Sequence, residues 1–320
     1  MSDVWVAVLS GGLSHEREVS LRSGRRLSAA LRSVGLTVDE WDTDANLISR
    51  LTDERRPDAV IVALHGGEGE NGAVQNVLEM LDVPYVGTDP RACRRAWDKP
   101  TAKAELARAG LSTPDWVVLP HSAFRELGAQ GVLDAMVSRL GLPLMLKPDQ
   151  GGSALGAQVV RDAAELPAAM VGCLAYGDTV LVEEFVDGVE VAVTVLDGPA
   201  GPVALPAVEI VPENGIFDYT ARYTAGLTTF HAPARLDPPT AAMVGELAVT
   251  AHRLLGLRDV SRMDAIVGTD GGVRFLEVNV SPGLTETSLL PMAVEAAGRS
   301  LGDVFAGLVD RALARQRHLT

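Results

Sequence analysis

The C-terminal third of the chain carries a cation and three oxygen donors at a spacing suited to metal-assisted chemistry. Arg262 and Asp264 are two residues apart, and Glu277 and Asn279 follow in a second apolar segment thirteen residues later. Because residues two apart in a strand point to the same face, each pair projects together. Carboxylate and amide oxygens suit Mg²⁺, which keeps waters and phosphate oxygens as its other ligands. The alternative is a surface salt-bridge ladder, which the apolar surroundings disfavour.

A second pattern places a lysine at the end of an apolar strand, directly before a loop of small residues. Lys147 ends the strand, and the loop from Asp149 to Gly156 contains three glycines. Such a loop lets backbone amides approach phosphate oxygens closely. A plain β-hairpin turn with an exposed lysine is the alternative. Lys99 adds another cation, although it carries no signal in isolation.

Acidic residues lie at the ends of two other predicted elements. Glu183 and Glu184 end an apolar strand and Glu190 follows, where acceptors suit an adenine amino group and ribose hydroxyls. Near the N-terminus, a glycine turn, a helix cap and an acid lie where the first strand meets a helix, at Gly11, Gly12, Ser14 and Glu16. Surface acids and a simple capping box are the respective alternatives.

The elements that must position these residues alternate between apolar strands and helical periods, which is typical of α/β layers. We predict strands at 4–9, 58–64, 116–119, 144–147, 181–185, 190–196, 203–211, 261–267 and 273–280. We predict helices at 16–34 (capped by Ser14 and ended by Gly35), 73–81, 100–109 and 123–140, one after a polar stretch at 212–233, and two at the end of the chain.

Composition narrows the possible functions. The chain has 320 residues, 47% of them hydrophobic, so two or three domains are expected. A net charge of -14 argues against nucleic acid or an anionic membrane as the main partner. Two distant cysteines, together with the lack of a long apolar run, predict a cytoplasmic protein without disulfides or structural zinc. No Walker A or HExxH motif occurs, and a GxSxG match at 298–302 lacks the strand that a nucleophile elbow needs.

Taken in order, these motifs resemble the ATP-grasp enzymes, and specifically the D-alanine–D-alanine ligases, from the first strand to nearly the last helix. The resemblance implies three α/β domains, at 1–92, 93–185 and 186–320, with ATP between the second and third. The implied ATP-binding residues are Lys99, Lys147, Gly152, Glu183, Glu184, Val186, Glu190 and Arg222. The implied ligands of two Mg²⁺ ions, with Mn²⁺ as a substitute, are Asp264, Glu277 and Asn279.

The same resemblance implies roles around the two amino acids. Glu16 is expected to take the first ammonium group, positioned with the mobile loop by Ser153 and Tyr223. Arg262 and the Gly283 amide are the expected oxyanion-stabilising pair. The second carboxylate is expected at Ser288 and the Leu289 amide, with His65 on the substrate side.

The implied reaction is formation of D-alanyl-D-alanine for peptidoglycan precursors, by a homodimer, through an acyl phosphate. Two positions depart from the family pattern: Arg222 stands where lysine is common, and Asn71 where aspartate is usual. Arginine keeps the charge but changes the hydrogen-bond geometry. Two alternatives stay open, namely a ligase of other amino acids in a specialised pathway and a non-catalytic nucleotide-binding protein.

Overall fold

The computed structural model of the protein describes residues 4–224 and 226–317. Three sheets account for its strands, which confirms the predicted α/β class. Among the described residues, no helix is long and apolar enough to cross a membrane. Cys93 and Cys173 are both buried free thiols.

The first sheet is parallel, in the order β2-β1-β3-β4. Its strands are β1 (Trp5–Leu9), β2 (Thr37–Trp41), β3 (Ala59–Val62) and β4 (Tyr85–Val86). The helices of this part of the chain are α1 (Arg17–Ser33), α2 (Leu47–Thr52), α3 (Ala73–Met80), α4 (Pro90–Trp97) and α5 (Lys99–Arg108), with a 3-10 turn at Gly67–Gly69. Because β1 and β3 are parallel neighbours, the loops after them lie at the same edge, where they hold Glu16 and His65.

The central sheet is antiparallel, in the order β5-β8-β6-β7. Its strands are β5 (Trp116–Pro120), β6 (Leu144–Pro148), β7 (Gln158–Val160) and β8 (Thr179–Glu184). Its helices are α6 (His121–Leu127), α7 (Ala129–Leu140) and α8 (Leu166–Leu174), the last preceded by a 3-10 turn at Ala163–Glu165.

The third sheet has six antiparallel strands, in the order β12-β11-β9-β13-β14 with β10 beside β9. They are β9 (Gly188–Gly198), β10 (Gly201–Ala204), β11 (Val208–Pro212), β12 (Thr228–His231), β13 (Val260–Gly268) and β14 (Val273–Asn279). The remaining helices are α9 (Tyr219–Tyr223), α10 (Pro238–Leu254), α11 (Leu289–Ala296) and α12 (Leu301–Arg317).

Packing joins elements that are distant along the chain. Ala92, Cys93 and Leu106, from α4 and α5, lie in one core with Val193 and Phe275 of the third sheet. At the end of the chain, α12 packs on α1 and β4 of the first sheet. The predicted domain borders at 92 and 185 stay a prediction. The helices α4 and α5 share the core of the third sheet, so packing alone does not mark a border at 92.

Several predicted elements need correction. The predicted helix 123–140 is two helices, because Gly128 has φ +88° between α6 and α7. The run 203–211 is likewise two strands, β10 and β11. Ser14 does not cap α1, whose N-cap is Glu16 without a side-chain cap. The edge strands β2 and β4 were not predicted, since one is polar and the other has two residues.

Candidate active site

Two adjoining cavities lie around β13 and β14. The larger, of about 410 Å³, lies between the central and third sheets, and the smaller, of about 70 Å³, lies among loops of the first and third. Gly152, Phe217 and Arg222 line both cavities. The predicted residues that line the larger are Lys99, Lys147, Gly152, Glu183, Glu184, Val186, Glu190, Arg222, Asp264 and Glu277. Those that line the smaller are Glu16, His65, Ser153, Arg262, Asn279, Gly283, Ser288 and Leu289.

The pairing of β13 with β14 brings the predicted cation and oxygen donors together. Asp264 lies opposite Glu277, and Arg262 opposite Asn279. The Nε and Nη2 atoms of Arg262 each donate to an oxygen of Asp264 at 2.7 Å. Arg262 is 8% exposed and Asp264 3%, so a surface ladder is excluded. Burial raises the pKa of Glu277, but nearby lysines and arginines outweigh it and hold that pKa below its usual range.

The donor set suits a hard divalent cation that phosphate oxygens complete. Asn279 Nδ2 lies 3.5 Å from Asp264 Oδ2, and Lys99 Nζ lies 3.7 Å from Glu277 Oε2. Within residues 4–224 and 226–317, no three His, Cys, Asp or Glu side chains form a metal-binding group. Two carboxylates with one amide are too few for a closed protein cage. They match Mg²⁺, which is held by one or two carboxylates together with substrate phosphates.

The loop after Lys147 closes a β-hairpin, since β6 and β7 pair antiparallel. The hairpin alternative is nevertheless wrong about the lysine, whose side chain is only 13% exposed. Ser153 and Ala154 have φ of 54° and 55°, in the left-handed region that non-glycine residues rarely adopt. Lys99 Nζ donates to the Gly151 carbonyl oxygen at 2.7 Å and ties α5 to this loop. Strained loops of this kind are concentrated at ligand-binding sites.

Glu183 lies at the base of the larger cavity and is almost completely buried. It is 1% exposed, and its two carboxylate oxygens each lie 2.5 Å from an ammonium nitrogen, one of Lys147 and one of Lys103. The N–H groups of Glu184 and Phe185 donate to backbone carbonyl oxygens of neighbouring segments. Burial raises the pKa of Glu190 to about 7, so this predicted ribose contact is partly protonated near neutral pH.

Glu16 lies where loops of the first and central sheets meet. Its carboxylate accepts a hydrogen bond from the Ser153 hydroxyl. Its N–H donates to Ser14 Oγ at 3.1 Å, and Ser14 Oγ donates to the His65 carbonyl oxygen at 2.6 Å. A Cβ at Gly152 would lie 2.8 Å from Glu16 Oε2, so a larger residue there would displace the Glu16 carboxylate. Burial is the main cause of the raised pKa of Glu16.

His65 joins the first sheet to the loop after β14. Its Nδ1 donates to the Ser281 carbonyl oxygen at 3.0 Å, which leaves Nε2 to accept from the Ser23 hydroxyl at 2.8 Å. Ser23 Oγ also accepts from the Leu284 N–H at 3.1 Å. Burial lowers the pKa of His65 to about 4, so the ring is neutral. Both nitrogens are therefore engaged with the protein, and its predicted substrate contact stays a prediction.

The start of α11 points into the smaller cavity. Ser288 is its N-cap and Leu289 its first residue. The first N–H groups of a helix lack partners within the helix and bind carboxylates well. Ser288 Oγ accepts from the Thr285 N–H at 3.0 Å, and a Cβ at Gly283 would lie only 2.7 Å from the same oxygen. The loop is thus packed closely around the predicted carboxylate site.

Phe217 and Arg222, from the polar segment after β11, lie at the junction of the two cavities. The guanidinium carbon of Arg222 lies 4.3 Å from the centre of the Phe217 ring, and its Nε donates to the Phe217 carbonyl oxygen at 3.3 Å. Tyr223 ends α9, but its side chain lies outside the described residues. Its predicted role therefore stays a prediction.

Sequence reasoning assigned no role to three buried polar residues of the site. Lys103 lies one helical turn after Lys99, a spacing that could have revealed it. Glu70 accepts from the Gly66 N–H at 2.8 Å, and burial together with Glu16 raises its pKa to about 8. Ser23 is an interior residue of α1, and its position in the sequence gives no such signal.

Comparison with known proteins identifies what this arrangement resembles. A family model described as "D-ala D-ala ligase C-terminus" matches residues 106–310, and one described as "D-ala D-ala ligase N-terminus" matches residues 38–88. The D-alanine–D-alanine ligase of Anaeromyxobacter dehalogenans (strain 2CP-C) is 43% identical over 307 residues, which is 96% of each chain.

Solved structures agree over nearly the whole chain. The D-alanine–D-alanine ligase of Bacillus anthracis, complexed with ATP, has a TM-score of 0.80 at 26% identity and covers 98% of this chain and 99% of its own. The VanG D-Ala:D-Ser ligase of Enterococcus faecalis has a TM-score of 0.83 at 27% identity and covers 97% of this chain and 100% of its own. These neighbours have the predicted ATP-grasp fold.

Proposed function

The chain belongs to the D-alanine–D-alanine ligase family and is an ATP-dependent ligase, and from that premise we propose that it joins two D-alanine molecules for peptidoglycan precursor synthesis. The observation that carries this proposal is the pair of adjoining cavities. One is wide enough for a nucleotide, and the other, of about 70 Å³, is suited to small zwitterions. Gly152 and Arg222 lie at the border between them, where phosphate and carboxylate would meet.

ATP fits the larger cavity by chemistry as well as size. Lys99 and Lys147 provide cations for the phosphates, beside the strained loop that contains Gly152. Arg222 adds a third cation from the other side. Because the Glu183 carboxylate is engaged with lysines, contact with adenine falls to the backbone of Glu184 to Val186. Glu190 is left for the ribose hydroxyls.

Mg²⁺ is the proposed metal, held by Asp264, Glu277 and Asn279. When bound, it neutralises phosphate charge and orients the phosphoryl group for transfer. The Arg262–Asp264 pair and the contact of Lys99 with Glu277 stabilise the buried carboxylates when no metal is present. Both carboxylates are therefore held in position before the metal and nucleotide arrive.

The smaller cavity arranges the two amino acids. The Glu16 carboxylate, fixed by Ser153, takes the ammonium group of the first. Ser288 and the Leu289 amide take the carboxylate of the second at the start of α11. Arg262 and the Gly283 amide, both at the cavity wall, stabilise the oxyanion that forms between them.

The reaction then proceeds in two steps that these contacts support. The first carboxylate attacks the γ-phosphorus of ATP and forms an acyl phosphate, with ADP as the leaving group. The second amine, after losing a proton, attacks the acyl carbon, and phosphate leaves from the tetrahedral intermediate. Segment 212–233 excludes water, which would otherwise hydrolyse the acyl phosphate.

A ligase of another pair of small amino acids is the second candidate. The neighbour named as a D-Ala:D-Ser ligase favours it, since a cavity of this size accepts a hydroxymethyl group almost as well as a methyl group. A cytoplasmic homodimer is proposed for either function. The requirement for ATP, which is made in the cytoplasm, and the family of the relatives support the cytoplasmic location. Sedimentation at micromolar concentration tests whether the protein is a homodimer.

The deciding experiment measures ATP-dependent phosphate release with Mg²⁺ across D- and L-amino acids, alone and in pairs, with products identified by mass. Release with D-alanine alone, giving D-alanyl-D-alanine, is the expected result. Selective release with D-alanine and D-serine would support the second candidate. If none of the amino acid mixtures gave phosphate release, both candidates would be contradicted.

A further inference from the structure

The larger cavity is underlain by a buried cluster with one more positive than negative charge. Lys103 Nζ lies 2.5 Å from Glu183 Oε1, and Lys147 Nζ lies 2.5 Å from Glu183 Oε2. The Lys103 side chain is 0% exposed and Lys147 13%, so only Lys147 reaches the cavity. A single lysine would neutralise this carboxylate, and burying a second is costly.

Lys103 is held firmly in this cluster. Its Nζ donates to Thr113 Oγ1 at 2.6 Å, and Thr113 Oγ1 donates to the Phe275 carbonyl oxygen at 2.9 Å. Nζ also lies 5.0 Å from the centre of the Trp116 ring. These contacts join α5, the central sheet and β14, two residues before Glu277. The ammonium group is therefore fixed and cannot turn to solvent.

The composition of the chain supports a specific role for lysine here. Lysine and arginine number 28, and only three of these are lysine. All three, Lys99, Lys103 and Lys147, lie in or directly beneath the larger cavity. Arginine serves at every other basic position, including the surface.

We propose that Lys103 is a positioning residue for nucleotide phosphates, because it satisfies Glu183 and thereby leaves the charge of Lys147 available to the phosphates. With Lys103 in place, the cluster of Lys103, Lys147 and Glu183 has a net charge of one positive unit, which Lys147 presents to the cavity. Without it, Glu183 and Lys147 form a neutral pair, which attracts phosphate less strongly. The inference rests on the proposed ATP site. The carboxylates of Glu190 and Glu277 face Lys147 from β9 and β14 in both cases.

The test compares binding of Mg²⁺ with a non-hydrolysable ATP analogue, and of adenosine alone, by calorimetry. Lys103→Met keeps an unbranched side chain one atom shorter and removes the charge. We expect the Kd for the ATP analogue to rise about 10-fold, equivalent to one charge-assisted contact. The Kd for adenosine should stay within about 2-fold, as for a site that does not interact with Lys103. In steady state, KM for ATP should rise more than kcat falls.

A double variant distinguishes positioning from a structural role. Lys103→Met with Glu183→Gln removes one charge of each sign and restores the net charge on Lys147. It should recover most of the lost phosphate affinity relative to Lys103→Met, and it also keeps the inference testable if the single variant does not fold. Arg108→Met, which removes an exposed cation from the same helix, is the control and should bind as wild type.

Equal weakening of adenosine and the ATP analogue in Lys103→Met would overturn the inference and show a general packing defect. No recovery in the double variant would also overturn it. If the wild-type protein failed to bind the ATP analogue at all, the proposed function itself would fail, which is a distinguishable result.

Discussion

Strand residues of two sheets make up about half of the lining of the larger cavity, whereas the smaller is lined mostly by loop residues from distant parts of the chain. The former, of about 410 Å³, is partly apolar and gathers lysines, and the latter, of about 70 Å³, gathers acids, hydroxyl groups and a helix start. A nucleotide makes many contacts with its cavity, so its affinity should tolerate a single change at the cavity's edge. The smaller cavity has much less volume, so the identity of the amino acids depends on a few side chains.

The largest effect is expected at the proposed metal site of the larger cavity. Glu277→Gln removes a carboxylate that faces both the proposed metal and Lys99. Losing several kcal/mol of charge stabilisation corresponds to a fall in kcat of about 1,000-fold or more. Phosphate release measures this, and circular dichroism checks the fold. Glu295→Gln, an exposed change on α11, should have no effect; normal turnover in Glu277→Gln would refute the metal assignment.

A change confined to the smaller cavity should weaken binding of D-alanine without affecting binding of ATP. Glu16→Gln keeps an acceptor for Ser153 but loses the charge that receives an ammonium group. A hydrogen bond between charged groups contributes about 1.5–3 kcal/mol, so KM for D-alanine should rise about 10- to 100-fold. KM for ATP should change little. The opposite pattern, with KM for ATP alone affected, would move Glu16 to the nucleotide site.

Volume in the smaller cavity should set side-chain specificity. Val19 is 7% exposed and lines this cavity. Val19→Ala should raise kcat/KM for D-2-aminobutyrate relative to D-alanine by about 10-fold, the effect of accommodating one methylene group. Val309→Ala removes the same atoms from the buried face of α12, away from both cavities, and should leave the ratio unchanged. An unchanged ratio in Val19→Ala would mean that Val19 does not border the side chains.

The smallest effect is expected from Glu70, which lines the smaller cavity together with Glu16. Its pKa of about 8 in the folded protein exceeds that of a glutamate in the unfolded chain. Between about pH 4.5 and 8 the folded state therefore keeps a proton that the unfolded chain has lost, and stability falls as pH rises. Glu70→Gln should reduce that slope by up to about 1.4 kcal/mol per pH unit, measured by urea unfolding. An unchanged slope would show that Glu70 ionises normally.

The contrast between the cavities also explains what the sequence could predict. Arg262, Asp264, Glu277 and Asn279 were placed correctly because strand periodicity fixes which side chains share a face. Lys147 and its glycine loop were likewise visible as a local pattern. The ion pairs of Glu183 were not, because they join side chains from three elements.

The smaller cavity was predictable only through family resemblance. Glu16, His65 and Ser288 are far apart along the chain, and no local pattern says that they meet. The neutral tautomer of His65 depends on Ser23 and Ser281, whose positions follow from the packing of α1 against the loop after β14. Long-range packing of this kind also places residues of α4 and α5 in the core of the third sheet, which no local pattern predicted.

The most direct test of the account follows oxygen atoms through the reaction. D-Alanine labelled with ¹⁸O in both carboxylate oxygens is converted with ATP, and the phosphate and the peptide are analysed by mass. An acyl phosphate predicts one ¹⁸O in inorganic phosphate and one in the amide carbonyl group of D-alanyl-D-alanine, with ADP as the nucleotide product. Label in AMP, or phosphate without label, would contradict the proposed reaction.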